Sequence, residues 1–451
     1  MCTKNSKVFV RSKGYLLIDV LIAISLATIF ISFLVDSSAM SNTLVTRAHT
    51  RSGMISDYEN GTNVTMSVTS STRLYGNKFF ETDFTGLNLI AVYSKFFQKN
   101  SIDVSENALC TVDYGASLIN GSPDTPTFTQ IILPIPATQP LTHLEVRNNI
   151  AYIATDSTQA SDPDLYLVNI ANPQKPAIIT SINTGPGIAT FSIVGKYIYS
   201  AAASTVGQLQ IISHNSPTSL LLENKFQLPL PYATATLPYA TAIGYHNNHI
   251  YLGTEKWDGP EFSVIDVSDT NNPRAISSLE IGNKVDDISS DENIIYVSSA
   301  GQNQLRLIDM NNNIISAFAP SGWNRQEGKV VSTFEANLAF GRTSGGYDIT
   351  GDHELFYLAS TSNAMLSDQA SVNIPGGIYG IIQDRNNIFL ATRQSGKELQ
   401  IYTNSSSISS SSPNLIQTYH LPVQPQSMTC DGRTVYILAH DSSTIYAINF
   451  L

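Results

Sequence analysis

Residues 247–254 read NNHIYLGT, and close variants of this segment recur along the chain. Each variant starts at a polar turn, continues with apolar residues around an aromatic one, and ends in small residues. The other six are NNIAYIAT (148–155), GKYIYSAA (195–202), NIIYVSS (293–299), NLAFGRT (337–343), NNIFLAT (386–392) and RTVYILA (433–439). Their aromatic residues are Tyr152, Tyr199, Tyr251, Tyr296, Phe340, Phe389 and Tyr436, spaced 44 to 52 residues apart. A strand pattern with a period in the forties is typical of β-propeller blades.

Each repeat holds four predicted strands, which we call A to D. In the third unit they are ATAIGYH, HIYLGT, FSVIDV and RAISSLEIG, with the turn-forming sequence SDTNNP between C and D. The end of strand C, I-D-V-S followed by N-P, resembles the LVIVP-repeat and related surface-propeller families. The fifth unit lacks this signature and contains Gly345 and Gly346, so its strands are the least regular.

The number of blades follows from the last repeat. The seventh unit is one strand short, and an unassigned segment, TFTQIIL (127–133), resembles the fourth strands of the other units. We therefore predict a seven-bladed ring closed by this early strand, which removes the open sheet edge; six and eight blades are the alternatives. A closing D strand also means that the chain enters from the lower face, opposite the B–C and D–A loops.

The N-terminal segment has a different character. Residues 14–35 read GYLLIDVLIAISLATIFISFLV, a glycine and an aromatic residue followed by an apolar run that contains one acid, Asp19. Residues 15–35 would form a helix of about 31 Å, enough to cross a bilayer. An uncompensated carboxylate is costly in hydrocarbon, so Asp19 requires a partner, which points to assembly. The four basic residues before the run favour a cytoplasmic N-terminus.

This motif resembles the class III signal of type IV prepilins. The resemblance implies cleavage after Gly14 by a prepilin peptidase, methylation of Tyr15, and pairing of Asp19 with the terminal amine of a neighbouring pilin subunit. The family usually has Glu where this chain has Asp19, whose carboxylate is carried on a side chain one methylene shorter. A secretory signal peptide or a plain membrane anchor is the alternative.

These observations predict a mainly β protein with four regions. They are a prepilin leader (1–14), a transmembrane, pilin-type helix (15–60), a small pilin-like β region with a linker (61–125), and the seven-bladed β-propeller (126–451), whose closing strand lies within 126–134. Ample apolar residues, 42% of the chain, are present for a core.

Composition narrows the partners and the compartment. The formal net charge of −11 disfavours nucleic-acid binding, because a phosphate backbone repels an acidic chain. Of the three cysteines, Cys2 lies in the leader, which leaves Cys110 and Cys430. In an exported protein they are candidates for a disulfide between the middle region and the last blade; two unpaired thiols are the alternative.

The sequence contains few signs of catalysis. It has no nucleophile elbow, Walker loop, dinucleotide fingerprint or EF-hand. Asp286 and Asp287 adjoin in an innermost strand, where neighbours are expected to point in opposite directions. We therefore expect no enzyme, metal or cofactor. Trp257 and Trp323, both in predicted upper-face loops, are candidate binding residues for a glycan or a protein, or else cover their own blade edges.

Together these patterns predict a pilin-like subunit of a type IV pilus or pseudopilus, minor or at the tip, whose propeller is displayed on the cell surface. Before assembly it would be a single-pass protein of the cytoplasmic membrane. The expected ligand is an unidentified surface glycan or protein. The alternatives are a membrane-anchored extracytoplasmic propeller enzyme or ligand sensor, and a major pilin whose propellers coat the filament.

Overall fold

The computed structural model describes most of the propeller region. The described residues are 73–74, 78–79, 126–157, 161–216, 218–230, 236–291, 293–320, 326–334, 337–343, 353–360, 366–384, 387–404, 413–440 and 442–450. The chain divides into two units, Met1–Lys99 and Asn100–Leu451. Gly14, Tyr15, Asp19, Cys110 and Trp323 lie outside the described residues, as does the predicted membrane span. Among the residues that are described, no helix combines the length and apolarity needed to cross a membrane.

The described residues form the following strands in chain order: β1 (Arg73–Leu74), β2 (Lys78–Phe79), β3 (Thr127–Ile132), β4 (Leu141–Arg147), β5 (Ile150–Thr155), β6 (Leu165–Asn169), β7 (Ala177–Ile182), β8 (Ile188–Val194), β9 (Tyr197–Ala202), β10 (Leu209–Ser216), β11 (Ser219–Phe226), β12 (Ala240–His246), β13 (His249–Thr254), β14 (Phe262–Asp266), β15 (Arg274–Leu279), β16 (Val285–Ser290), β17 (Ile294–Ser299), β18 (Leu305–Asp309), β19 (Ile314–Phe318), β20 (Gly328–Phe334), β21 (Asn337–Arg342), β22 (Leu355–Ser360), β23 (Leu366–Val372), β24 (Ile378–Gln383), β25 (Asn387–Thr392), β26 (Leu399–Thr403), β27 (Leu415–Tyr419), β28 (Pro425–Asp431), β29 (Thr434–Ala439) and β30 (Thr444–Asn449). In the first unit, β1 and β2 pair antiparallel.

The described residues of the second unit form the predicted seven-bladed propeller. Blades 1 to 6 are antiparallel sheets of four consecutive strands, starting at β4, β8, β12, β16, β20 and β24. Blade 7 takes β28, β29 and β30 from the end of the chain and β3 from its beginning. The first strand of every blade contacts the first strand of the next all the way round, so these strands form the innermost ring. The blade count and the closing strand are confirmed.

Burial explains why the second strand of each blade carries the repeated motif. In β5, β9 and β13, every residue after the first is buried, because both faces of the strand are covered by neighbouring blades. The outermost strands, such as β11, alternate between exposed and partly buried residues. Seven apolar clusters fill the seven gaps between blades, and the cluster between blades 7 and 1 includes Ile131 of the closing strand.

The alignment on aromatic residues is wrong by one position in blade 5. Tyr152 in blade 1 is the third residue of its strand and lies opposite Glu145. The equivalent residue of blade 5 is Ala339, opposite Ser332. Phe340, the next residue, therefore faces the other way and packs between blades 4 and 5. Period-two alternation makes a one-residue displacement a change of face.

The tight A–B turns lie on the lower face. Asn148 and Asn149 have φ of 51° and 60°, and Asn247 and Asn248 have φ of 47° and 61°. Two consecutive residues of positive φ form the two-residue hairpin turn that matches strand twist, and asparagine tolerates this region better than most residues. The chain also enters here, since Thr127 at the start of β3 pairs with Asn449 at the end of β30.

Candidate binding face at the mouth of the central channel

A bulge recurs near the beginning of all seven innermost strands. In each strand the residue at the second position is skipped in the pairing with its neighbour. A bulge redirects the side chain of the extra residue. We call the skipped residues the bulge ring: Thr142, Ala189, Thr241, Asp286, Lys329, Tyr379 and Gln426. Because the innermost strands begin at the upper face, the ring lies at the upper mouth of the channel.

Several members of the bulge ring reach the adjacent blade. The hydroxyl of Thr142 donates to the carbonyl of Ile188 at 2.6 Å. The hydroxyl of Thr241 donates in the same way to the carbonyl of Val285, also at 2.6 Å. The first of these hydrogen bonds joins blade 1 to blade 2 and the second joins blade 3 to blade 4, so part of the ring serves to join neighbouring blades rather than to bind a ligand.

The charged part of the ring lies at blades 4 and 5. Nζ of Lys329 is 3.2 Å from Oδ1 of Asp286, and Nζ of Lys284 is 3.4 Å from the same oxygen. The Asp286 side chain is only 5% exposed, whereas those of Lys284 and Lys329 are 41% and 32% exposed. Oδ2 of Asp286 is buried and has no hydrogen-bond partner among the described residues. Two ammonium groups thus reach solvent around one buried carboxylate.

A third cationic side chain, Arg393, lies at blades 6 and 7. The guanidinium of Arg393 stacks on the ring of Tyr379, 3.7 Å from its centroid. It also donates through Nη2 to Oε1 of Gln426 at 3.2 Å and through Nε to the carbonyl of Pro425 at 3.3 Å. Cation–π stacking and two hydrogen bonds hold this guanidinium in one orientation.

The residue after the bulge carries a titratable group in two blades. His143 in blade 1 is largely buried with its ring edge-on to Phe191, centroids 4.8 Å apart. Burial lowers the pKa of His143 from 6.5 to about 4. Asp287 holds the same position in blade 4, where burial raises its pKa from 3.8 to about 6. Its Oδ2 accepts the backbone N–H of Val331 in the next blade at 2.9 Å.

Adjacent Asp286 and Asp287 do not form a metal site in this arrangement. Asp286 turns to two lysines at the mouth, and Asp287 turns to the backbone of blade 5. Within the described part of the chain, no group of three or more His, Cys, Asp or Glu residues could hold a metal ion.

A second repeated feature, which was not predicted from the sequence, supports the upper loops. In six blades the residue before strand C is a buried acid or amide, and in five of them it accepts a backbone N–H of its own D–A loop. These residues, the loop-capping residues, are Asp164, Gln208, Glu261, Gln304, Glu354 and Glu398. Glu261 accepts from Ile281 and Gly282, both at 2.8 Å. The signal in the sequence is an acid or amide followed by Leu or Phe at the start of strand C, present in blades 1 to 6 and absent from blade 7, where Ser443 precedes Thr444.

Burial and hydrogen bonding act against each other on the pKa of two capping acids, with opposite outcomes. Burial raises the pKa of Asp164, although the hydroxyl of Thr184 and three backbone N–H groups act against it. Burial also opposes ionisation of Glu398, but there the N–H of Leu421 and the imidazole of His420 outweigh it and lower the pKa.

The upper loops of blades 2 and 3 expose apolar side chains. Val206 is 67% exposed, Tyr239 is 49% exposed and Leu230 is 44% exposed. The backbone N–H of Glu255 donates to the carbonyl of Tyr239, which places Tyr239 beside the loop that carries Trp257. We call Val206, Leu230, Tyr239 and Trp257, which share the upper loops of these two neighbouring blades, the apolar patch.

Trp257, predicted as a binding residue, is half-buried in this patch. Its indole N–H donates to the carbonyl of Pro260 at 3.0 Å, and its ring lies against Gly259, where a Cβ would come within 2.5 Å of it. Its ring also packs against the core between blades 2 and 3. Trp257 thus covers its own blade edge and keeps one part exposed. Its role in binding stays a prediction, as does that of Trp323, which lies outside the described residues.

Cys430 is buried between blades 6 and 7, near the end of β28. Its proposed partner, Cys110, lies outside the described residues, so the disulfide stays a prediction. The next residue, Asp431, receives the backbone N–H groups of Asn148 and Asn149, and burial raises its pKa. The lower ends of blades 7 and 1 are therefore joined by hydrogen bonds as well as by the closing strand.

The fold places the chain among β-propeller proteins. No protein-family model and no curated protein sequence matches it. Solved propellers do: the WD40 repeats of RRP9 match with a TM-score of 0.54 and 11% identity, covering 72% of this chain and 99% of that one. A virginiamycin B lyase from Staphylococcus aureus matches with a TM-score of 0.51 and 14% identity, covering 72% and 100%. A chain of the mitotic checkpoint complex matches with a TM-score of 0.52 and 14% identity, covering 70% and 96%. At these identities the likeness establishes the fold alone.

Proposed function

We propose that this chain is a pilin-like surface subunit whose propeller is a non-enzymatic binding module, with the upper face as its binding surface. The observation that carries the proposal is the apolar patch. Tyr239 and the exposed part of Trp257 are aromatic loop surface of the kind typical of binding sites, because such side chains offer a large contact area at little entropic cost. Three further supports are the fixed Arg393, the two exposed lysines of the mouth, and the entry of the chain at the opposite face.

The stalk part of the proposal rests on the N-terminal motif. Cleavage after Gly14 and methylation of Tyr15 would make the prepilin peptidase a partner, and Asp19 would pair with other pilin subunits in the filament. Residues 15–35 would hold the protein in the cytoplasmic membrane before assembly. A head as large as this propeller favours a minor or tip subunit, because repeating it along a filament would crowd the lattice.

The stalk is tested by the mass and N-terminal sequence of the protein from its native cells. We expect a chain that begins at methylated Tyr15. An intact leader, or cleavage beyond Val35, would contradict the pilin role and favour an anchored or secreted propeller, including the enzyme or sensor alternative.

The binding face is tested with a double variant, Val206→Ser with Tyr239→Ser, in cells that depend on this protein for attachment to a surface. We expect attachment to fall at least about tenfold, since hot-spot contacts are each worth more than a factor of ten. The matched control is Ile276→Ser, at an equally exposed position on an outer strand, 55% exposed. Equal attachment by all three strains would overturn the assignment of the upper face.

A further inference from the structure

We propose that β3, the outer strand of blade 7, pairs antiparallel with the β3 strand of a second copy of this chain. Every blade keeps one open edge, the outer side of its fourth strand, and β3 forms that edge in blade 7. This lateral contact goes beyond the binding face proposed above. Only its consequence on cells rests on the proposed function.

The pairing of β3 is the most regular among the seven outer strands. A break in register interrupts the pairing of each of the other six with strand C of its own blade. The six residues of β3 pair with β30 without such a break. Bulges, charged side chains and prolines protect sheet edges from pairing with further strands, and β3 contains none of the three.

The outer side of β3 is open. Blade 7 ends at this strand, and among the described residues no backbone group other than those of β30 pairs with it. Phe128 is 43% exposed and Ile132 is 66% exposed, and Gln130 between them is also exposed. All three lie on the face towards blade 6, where the Phe128 ring is 5.2 Å from the ring of Tyr419. A straight edge that exposes apolar side chains is a template for a further strand.

Self-complementarity selects a second copy as the occupant. When two β3 strands pair antiparallel with Gln130 opposite Gln130, Phe128 of each copy lies opposite Ile132 of the other. Apolar side chains then face apolar ones and amide faces amide, which are favourable cross-strand pairs. Because β3 carries no charge, this pairing brings no like charges together within the strands, although the whole chain has a formal charge of −11. A contact that uses the same patch of both copies closes as a two-fold dimer.

Strand direction determines how the two propellers are oriented. β3 runs from the lower face, where the chain enters, to the upper face. Antiparallel pairing therefore turns the two upper faces in opposite directions, and the two chains enter from opposite sides. Such a dimer suits copies that meet from two opposing surfaces, so on cells that display the chain it would join one cell to another. A pair of six-residue strands buries less area than a standard interface, so each contact is weak and many are needed in parallel.

The experiment exchanges charges at the centre of this pairing. Gln130→Lys and Gln130→Glu each place like charges opposite each other in a homodimer, whereas a mixture of the two variants pairs Lys with Glu. The measurement is sedimentation velocity of the full-length chain in density-matched detergent over a range of micromolar concentrations. We expect each variant alone to dimerise at least about tenfold more weakly than the unchanged chain, and the mixture to recover most of the loss.

Matched controls place the same charges on another outer strand. Ser278→Lys and Ser278→Glu lie at an exposed position of β15, in blade 3, and should leave dimerisation within about twofold. Association through the predicted N-terminal helix would be equal in all variants and would not follow the charge at residue 130. Circular dichroism and a melting curve establish that each variant is folded.

Three results would overturn the proposal. The first is an unchanged chain that stays monomeric at every concentration, which would leave β3 to a strand of a different protein. The second is dimerisation of both Gln130 variants as strong as that of the unchanged chain. The third is a mixture of the variants that dimerises no better than either alone.

The consequence on cells has its own test. Cells that carry Gln130→Lys and cells that carry Gln130→Glu, labelled in different colours, should clump when mixed and should not clump separately. Equal clumping of each strain by itself would contradict the joining of cells through β3. A chain that starts at methylated Tyr15 but stays monomeric would retain the display function and lose the β3 pairing, and a chain with an intact leader that dimerises through Gln130 would do the reverse.

Discussion

At the scale of single residues, His143 and Asp287 show that burial at the same position of two blades shifts the pKa of a basic and of an acidic side chain in opposite directions. Each follows the bulge of its innermost strand, and each is largely buried against the next blade. Burial disfavours the charged form in both cases, which lowers the pKa of a histidine and raises that of an aspartate. Their effects on stability therefore run in opposite directions with pH.

His143 is expected to make the propeller sensitive to mild acid. Between about pH 6.5 and pH 4 the unfolded chain binds a proton at this residue and the folded chain does not, so stability falls as the pH drops through this window. The full effect is up to about 3 kcal/mol. Melting curves of the unchanged chain and of His143→Phe from pH 7.5 to 4.5 test this. A variant whose melting temperature falls as steeply as that of the unchanged chain would contradict it.

Asp287 is expected to destabilise the folded chain at neutral pH. Its raised pKa means that the folded chain binds the extra proton between about pH 4 and pH 6, so this contribution to stability is lost as the pH rises through that range. Asp287→Asn removes the charge and keeps an acceptor for the Val331 N–H. We expect its free energy of unfolding at pH 7.5 to be higher by about 1 kcal/mol or more, which is measured as a higher denaturant midpoint. The advantage should shrink at pH 4.5; an unchanged midpoint at pH 7.5 would contradict the prediction.

At the scale of the element, the loop-capping residues explain how short strands carry long upper loops. Each D–A loop must cross from the outside of one blade to the inside of the next, and its N–H groups turn inward on the way. In five blades a buried acceptor, the residue before strand C of the blade that the loop leaves, accepts at least one of these N–H groups. Because these loops share the buried acceptor, their exposed residues can differ from blade to blade.

Glu261 offers a matched pair of substitutions for testing this role. Glu261→Ala leaves the N–H groups of Ile281 and Gly282 unsatisfied and should cost about 2–3 kcal/mol of unfolding free energy. Glu261→Gln should cost less than half of that, because blades 2 and 4 already carry Gln at the same position. The measurement is chemical denaturation monitored by tryptophan fluorescence. Equal losses in both variants would indicate that the charge, rather than the acceptor, matters.

At the scale of the whole molecule, the closing strand is the main constraint on the ring. It joins the earliest strand of the propeller to the last, and all six of its residues pair with β30. Closure of a ring by a strand distant in sequence is entropically costly, but it removes two free edges and completes the core between blades 7 and 1.

Two neighbouring isoleucines of the closing strand test its contribution. Ile131 is 1% exposed and packs between blades 7 and 1, whereas Ile132 is 66% exposed. Ile131→Ala should lower the unfolding free energy by about 2–4 kcal/mol, and Ile132→Ala should change it by less than about 0.5 kcal/mol. Both changes replace Ile by Ala in the same strand, so the change in strand propensity is the same. Similar losses of unfolding free energy in both variants would show that the strand does not close the core as described.

The repeated pattern around Tyr152 and its equivalents determined the blade number and the closing strand. It did so because each second strand is buried on both faces, a local requirement that every repeat must meet by itself. Trp257 was recognised as a loop residue because it follows one of these second strands. The motif of the N-terminal segment is also a pattern of neighbouring residues, and the processing inferred from it stays a prediction.

Only the tertiary structure decided which residues of different blades meet. The bulge that turns Asp286 towards Lys329 depends on the pairing between strands, and the pairing of Asp287 with the Val331 N–H depends on the packing of two blades. The position of Phe340 was missed because a single residue of register changes the face of a side chain. Contacts of this kind join residues that are more than forty positions apart, so the periodicity of the sequence carries no information about them.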